Sequence, residues 1–417
     1  MIKSLIAYLA RREFARTVTF QGDRRTDLPA CQDQLPRLLY LHIPFCERLC
    51  PYCSFNRVVF EEDLCRAYFQ TLRKEIRFYK DRGYNFSSIY VGGGTPTILL
   101  EELEETLVLT RELFPIRNIS VETNPNHLND ITIGALKRLG VNRLSVGVQS
   151  FHNGLLKEMD RYDKYGSGEE IALRLKDVLG EFETVNADMI FNFPSQTMEM
   201  LEGDLSTLID IGIDQITYYP LMVSDHTKEE METKLGRVDY RKEEAFYHRI
   251  VKGLVPAYRF SSAWCFSRTK AGSIIDEYIV DYDEYAGLGS GSIGYLGGTC
   301  YANTFSVPQY IATINEGKLP LMASRDFSLP DKVRYDFLMK LFGMKLPASF
   351  LFKKYGKRAY PGIFLDIAAF FIIGALKYDS GYFQLTRKGS YLWVIMMREF
   401  FTSVNNFRDY CRRDMVK

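Results

Sequence analysis

Three cysteines, Cys46, Cys50 and Cys53, fall within the segment Tyr40-Leu-His-Ile-Pro-Phe-Cys-Glu-Arg-Leu-Cys-Pro-Tyr-Cys53. Their spacing of four and three lets a short loop wrap one face of an inorganic centre and offer it three thiolates. Iron-sulfur cubanes commonly take four cysteine ligands. A cubane held by three keeps one iron without a protein ligand, and an open coordination position is what separates a catalytic metal site from a structural one. Zinc is the alternative. A structural zinc site needs four ligands, and no second cysteine or histidine pair stands at conventional spacing. His42 is near, but in a strand-like run its side chain is expected to pack or bond locally. The spacing favours a 4Fe-4S cluster.

Such a loop needs a scaffold, and the flanking sequence supplies one. From Leu38 to Val223, short β-type runs alternate with longer helical patterns, as in βα units around a parallel sheet. The expected strands are Leu38–Ile43, Ser88–Val91, Asn118–Glu122, Asn142–Val148, Asn186–Phe191 and Gln215–Tyr219. Segments such as Leu103–Leu113 and Glu169–Leu179 carry apolar residues at helical spacing. Each strand ends in polar or glycine-rich sequence: the cysteine loop, Gly92-Gly93-Gly94-Thr95, Glu122-Thr123-Asn124, Gln149, and Asn192 after Asp188. In a parallel barrel those ends converge on one face, where active sites are built. Six units are too few for eight strands; a seventh is expected around Arg259–Cys265. The fold class is α/β, a partial (β/α)6 TIM-like barrel over 38–255. An N-terminal arm of 1–37 precedes it, and a mainly helical C-terminal domain of 256–417 follows. That domain is expected to hold a hairpin around Asp379–Leu385 and a buried helix over Ile363–Leu376, which is too short to span a bilayer.

Bulk composition narrows the function classes. Fifty-three basic against 52 acidic residues give a net charge of +1, without the basic surplus of a nucleic-acid binder. Of eight cysteines, five are scattered, which fits a reduced, cytoplasmic protein with one metal site rather than a disulfide scaffold. The Met1–Ala10 run, followed by Arg11 and Arg12, is too short for a secretory core and is expected to be a small amphipathic helix. No transmembrane segment is expected.

The cysteine motif, with Tyr52 directly before the third cysteine, resembles that of the radical S-adenosylmethionine superfamily. His42-Ile-Pro-Phe-Cys46, Gly92-Gly-Gly-Thr-Pro96, Arg143-Leu-Ser-Val-Gly-Val-Gln149-Ser-Phe and the Asp188 strand narrow the resemblance. They are similar to the oxygen-independent coproporphyrinogen III oxidase family and its haem-chaperone relatives. The resemblance runs from Tyr40 to Phe193 and continues more weakly through Asp283–Gly289 and Leu385–Gly389. It implies a barrel of radical SAM type, in which S-adenosylmethionine occupies the open iron and yields a 5′-deoxyadenosyl radical, with a second molecule serving as methyl source in some relatives. It also implies a tetrapyrrole or other conjugated substrate and an electron donor such as flavodoxin or ferredoxin. By the same resemblance Tyr40 is a catalytic candidate beside the cluster, and Tyr52 approaches the adenine. Gly93, Gly94 and Thr95 approach the cofactor's amino group, while Glu122, Gln149, Arg161 and Asp188 make polar contacts to it.

The sequence departs from the family at informative points. The decarboxylating oxidases carry a further cysteine two residues after the third, where this chain has Phe55; that matches the haem-chaperone branch. That branch has a histidine after the barrel, whereas no histidine follows His248 here. Haem is a further candidate ligand, with Cys265 as its axial residue against the simpler reading of a buried small side chain. The glycine-rich stretch Gly287–Gly294 falls where the family shapes a second cofactor pocket, and Tyr218-Tyr219-Pro220-Leu-Met222 is placed to face a flat substrate. Decarboxylation, methyl transfer and haem trafficking all stay open.

Overall fold

The computed structural model describes residues 8, 11–12, 27–28, 31, 35, 37–268, 275 and 278–414. The amphipathic helix expected at Met1–Ala10 and most of the 1–37 arm lie outside them. Six parallel strands form as expected: β1 (Arg37–Ile43), β2 (Phe86–Gly93), β3 (Asn118–Thr123), β4 (Arg143–Gln149), β5 (Thr184–Phe191) and β6 (Gln215–Pro220), hydrogen-bonded in that order. Helices α1 (Glu62–Asp81), α2 (Leu100–Leu113), α3 (Asp130–Arg138), α4 (Gly168–Asp177) and α5 (Met198–Ile211) connect them. In α1, Cys65, Tyr68, Phe69, Leu72, Ile76 and Tyr79 are buried, a stripe of threes and fours that packs on the sheet. A Ser167–Glu170 capping box starts α4, and Gly212 in the left-handed region ends α5.

The strands alternate. Leu39, Leu41, Val91, Val121, Leu144, Val146 and Ala187 make the buried apolar row beneath the helices. The opposite row is polar and bonds across strands. Arg143 Nε donates to Gln215 Oε1 at 2.8 Å, passing over β5, and its Nη1 donates to Ser120 Oγ at 3.1 Å. Ser145 donates to Asp188, Asn186 to Ser145, and Thr217 to Asn186. Barrels of this class usually fill their interior with branched apolar side chains; this interior is a hydrogen-bonded polar network.

The expected seventh strand is corrected. Around Arg259–Cys265 the chain makes a short hairpin, and β7 (Cys265–Ser267) runs antiparallel to β6. The seventh parallel strand is β8 (Tyr285–Leu288), which pairs with β1 from Leu38↔Tyr285 to Leu41↔Leu288. Beyond it, β9 (Ile293–Leu296), β10 (Thr299–Asn303) and β11 (Leu321–Asp326) extend the sheet in antiparallel fashion. The glycines of this stretch serve close packing. A Cβ on Gly287 would stand 2.2 Å from Ile293 O, and one on Gly289 (φ +96°) 2.4 Å from the Tyr68 hydroxyl.

Helix α6 (Tyr240–Leu254) follows β6, and the remainder is chiefly helical, with α7 (Leu329–Phe342), α8 (Tyr360–Ile372) and α9 (Arg387–Asp414) around a three-stranded sheet. The expected hairpin is present: Ser380 and Gly381 turn it at φ +49° and +85°. The reading of Ile363–Leu376 as a buried helix is corrected. Ile363 is buried and Phe370 meets Trp393, but Leu365 is 78% and Ile372 85% exposed. Only one stripe of α8 reaches the core, and the chain turns into a strand at Leu376. Among the described residues no helix is long and apolar enough to cross a membrane.

Helix α1 is tied to the glycine stretch by Glu75. This fully buried carboxylate accepts from Tyr310 Oη at 2.6 Å, Gly289 N at 2.8 Å and Asn303 Nδ2 at 3.0 Å. Burial pushes its carboxyl up to about 7 against those three donors. The native state thus keeps a proton that the unfolded chain has lost, so stability falls as pH rises from the ordinary carboxylate range toward 7. Glu75→Gln is expected to reduce that slope, measured by urea unfolding on either side of the window.

Candidate iron-sulfur and cofactor site

The cysteine loop is irregular, so its ends are fixed by its neighbours. Phe45 and Cys46 pair in parallel with Val58 and Val59, Val58 N donates to Pro44 O at 2.7 Å, and Phe60 N to Cys46 O at 2.8 Å. On the other flank Gly94 N donates to Ile43 O and Thr95 N to Phe45 O. A Cβ on Gly94 would stand 2.5 Å from Phe45 O and 3.0 Å from Cys46 Sγ, so only glycine admits this approach. Past the third cysteine, the buried Asn56 amide donates to Ser290 O, Ser290 Oγ and Phe305 O at 3.1–3.2 Å. Its own carbonyl accepts from His42 Nε2 at 2.9 Å. That bond assigns the proton to Nε2 and leaves Nδ1 to accept from the Tyr40 hydroxyl at 2.8 Å. His42 bonds locally, as expected.

A polar arc joins the strand ends above this loop. The Thr95 hydroxyl donates to Cys46 Sγ at 3.8 Å and accepts from Asn124 Nδ2 at 2.8 Å. Asn124 Oδ1 accepts from Arg161 Nη2 at 3.4 Å. Arg161, buried and stacked 4.2 Å over Tyr165, also reaches Cys50 Sγ at 3.8 Å, the Tyr52 hydroxyl at 3.4 Å and Gly147 O. Gln149 takes a left-handed conformation, φ +74°, at a bulge between β4 and β5. A Cβ on Gly147 would meet its Nε2 at 3.1 Å, Asn124 Oδ1 at 3.4 Å and Arg161 Nη2 at 3.5 Å, so these groups gather around that glycine. Glu122 accepts from the Tyr90 hydroxyl at 2.8 Å and Gly93 N at 2.9 Å. Asp188 sits deeper, held by Ser145 and Asn186 at 2.8 Å. Tyr52 packs edge-on against Phe193, and Tyr40 stacks on Tyr278 at 6.0 Å.

The structure therefore brings Cys46, Cys50, Tyr52, Thr95, Gln149 and Arg161 together, with Gly93, Gly94 and Glu122 adjoining, Asp188 below them and Tyr40 linked through His42. Sequence reasoning missed Asn56 and Arg57 and left Asn124 without a role. It also missed the inner row of Arg143, Asn186, Gln215 and Thr217. Their signal was available: parallel strands buried on both faces usually read as unbroken apolar runs, whereas Asn186-Ala-Asp-Met and Gln215-Ile-Thr-Tyr alternate.

C-terminal residues cover this end of the barrel. Helix α9 bonds to the loop after β6 through Asp409 with Ser224 and Asn406 with Asp225. Its Arg408 guanidinium lies 5.0 Å over the ring of Phe55, which is 44% exposed. Tyr219 faces Trp264 at 5.3 Å, while Tyr218 is buried against Phe191. Cys265 is fully buried, with the Thr217 hydroxyl 3.8 Å from its sulfur.

Residues 40–208 match the model described as the radical SAM superfamily. Over 286 residues the chain is 32% identical to the heme chaperone HemW of Lactococcus lactis, covering 67% of this chain and 74% of that protein. The chain belongs to the coproporphyrinogen oxidase-like family of radical SAM proteins. HemW of Bacillus subtilis is 29% identical over 347 residues, 79% of this chain and 90% of the relative. The solved coproporphyrinogen III oxidase of Escherichia coli superposes with a TM-score of 0.73 over 93% of both chains at 22% identity, so the fold is shared.

Radical SAM proteins of this family use a 4Fe-4S cluster and S-adenosylmethionine, and the residues present fit both. Three free thiols share one clamped loop. Among the described residues no three His, Cys, Asp or Glu side chains converge on a single ion, whereas a cubane takes its ligands at separate corners. Burial, then the neighbouring Cys53, pushes the Cys46 thiol up to about 11, so ligation there displaces a proton. Cationic Arg161 and Arg57 flank the loop.

Asn56→Ala is expected to leave the Ser290 and Phe305 carbonyls unpaired, at a cost of ~1–3 kcal/mol. Denaturant unfolding measures that loss, and iron bound per chain is expected to fall with it.

Proposed function

We propose that this chain binds S-adenosylmethionine at a 4Fe-4S cluster held by Cys46, Cys50 and Cys53, and acts on a tetrapyrrole or similar conjugated substrate at the barrel mouth. The observation that carries the reading is the arc Thr95–Asn124–Arg161, which touches the sulfurs of Cys46 and Cys50 from the strand-end side. When bound, the cluster supplies the electron that cleaves the sulfonium and releases a 5′-deoxyadenosyl radical.

The chain's own residues orient and shield. Gly93, Gly94 and Thr95 have their N–H groups engaged by Glu122, Ile43 and Phe45, so a ligand amino group beside them would meet carbonyl oxygens. Glu122, Gln149, Arg161 and Asp188 present polar groups to one cofactor molecule or two. Tyr52, fixed between Arg161 and Phe193, is placed for the adenine. Tyr40, its hydroxyl held by His42, is placed to orient substrate. Helix α9, with Arg408 over Phe55, limits water at the mouth, which a reactive radical requires. An electron donor such as flavodoxin or ferredoxin would reduce the centre, and such a centre favours a reducing cytoplasm.

Haem trafficking is the second reading, favoured by Phe55 where the oxidases have cysteine and by the names of the HemW relatives. Reconstitution without oxygen separates the two. Incubation with labelled S-adenosylmethionine, a reductant, and coproporphyrinogen III or haem is expected to form 5′-deoxyadenosine, faster with the substrate. Product masses distinguish carboxyl loss from methyl gain, and stoichiometric haem binding without turnover would favour the second reading. Cys50→Ala is expected to abolish 5′-deoxyadenosine; its persistence would mean that the ligands are wrongly assigned.

A further inference from the structure

Arg57 stands four residues past Cys53 and turns back on the loop. Its Nη1 donates to Cys50 O at 3.0 Å and its Nη2 to Cys53 O at 2.5 Å. One planar fork thus spans the carbonyls of two ligand residues and the Pro51-Tyr52 step between them, a geometry a guanidinium holds rigidly and an ammonium does not. The fork thus holds a fixed positive charge against the backbone of two ligand residues. Arg161 and Lys164 also stand near the loop. Arg161 is shared among Cys50 Sγ, Tyr52, Asn124 and Gly147, and Lys164 bonds to Arg48 O at 3.3 Å. Neither bonds to a carbonyl of a ligand cysteine.

We propose that Arg57 is a positioning residue for the cluster, holding the Cys50 and Cys53 carbonyls and setting the reduction potential through its charge. The inference rests on the cluster reading above. Three thiolates give the centre a net negative charge, and reduction adds one more. A fixed cation at short range in a partly buried site stabilises the reduced form over the oxidised one. Net charge, hydrogen bonding and exposure are the levers that set such potentials.

The test compares wild type, Arg57→Gln and Arg57→Lys after anaerobic reconstitution. Iron and sulfide are counted, and the midpoint is read by redox titration followed by electron paramagnetic resonance, without S-adenosylmethionine. Gln keeps an amide donor but loses the charge; Lys keeps the charge but loses the fork. The Gln variant is expected to show about a tenfold lower ratio of reduced to oxidised centre at the wild-type midpoint, a shift of about 59 mV to lower potential. The Lys variant is expected to stay near wild type. A fully loaded Gln variant with an unchanged midpoint overturns the proposal, as does a folded Gln chain that takes up no centre, because the cation would then serve assembly alone. Should Gln fail to fold, Lys decides: a retained midpoint supports the role of charge and a tenfold shift refutes it. Wild type taking up no cluster would instead sink the underlying reading.

Discussion

An irregular loop can hold three sulfurs in fixed relation only if its ends cannot move. Here the ends are pinched by parallel pairing of Phe45-Cys46 with Val58-Val59 and flanked by the N–H groups of Gly94 and Thr95. Just beyond, Asn56 is bolted to Ser290 and Phe305. The first clamp is local. The last comes from residues more than two hundred positions away, which makes the geometry of the thiols a property of the whole chain. Unpaired buried polar groups cost about as much as a lost hydrogen bond each, so these anchors hold or fail together.

The same requirement governs the barrel interior. A polar inner row excluded from solvent must find partners among its own members, and Arg143, Gln215, Ser145, Asn186, Asp188 and Thr217 do so across three strands. Such a network rigidifies the strands that carry it. Glu122 and Gln149 at the strand tips, and Arg161 at the start of a short helix beyond them, stand on this base.

Much of this was legible in the sequence. The six strands were readable because β-branched and aliphatic runs are punctuated by polar tips, and their observed bounds differ from the expected ones by at most two residues. The cysteine loop and Gly93-Gly94-Thr95 were placed on one face by chain order, whereas Arg161 was named only through the family resemblance. Strand β8 was not, since Tyr285-Ala-Gly-Leu is short and glycine-containing and owes its state to pairing with β1 rather than to local propensity. Asn56 and Arg57 carried no signal either; a polar pair after a cysteine looks like any solvated loop until its distant partners are known. On α8, the apolar run of Ile363–Leu376 invited burial, yet hydropathy states only that a face prefers cover, not that one is present.

The pairing of β1 with β8 also has a consequence for biogenesis. Leu38 and its partner Tyr285 are separated by about 250 positions. At a ribosomal pace of roughly 5–20 residues per second, tens of seconds pass between their appearances. Throughout that interval β1 presents a bare strand edge, the kind of surface on which nascent chains aggregate or recruit holdases. The acceptors for Asn56 do not yet exist, so iron and sulfide delivered early would meet a slack noose of thiols. The clamp around the thiol loop is therefore complete only once the C-terminal third has been synthesised.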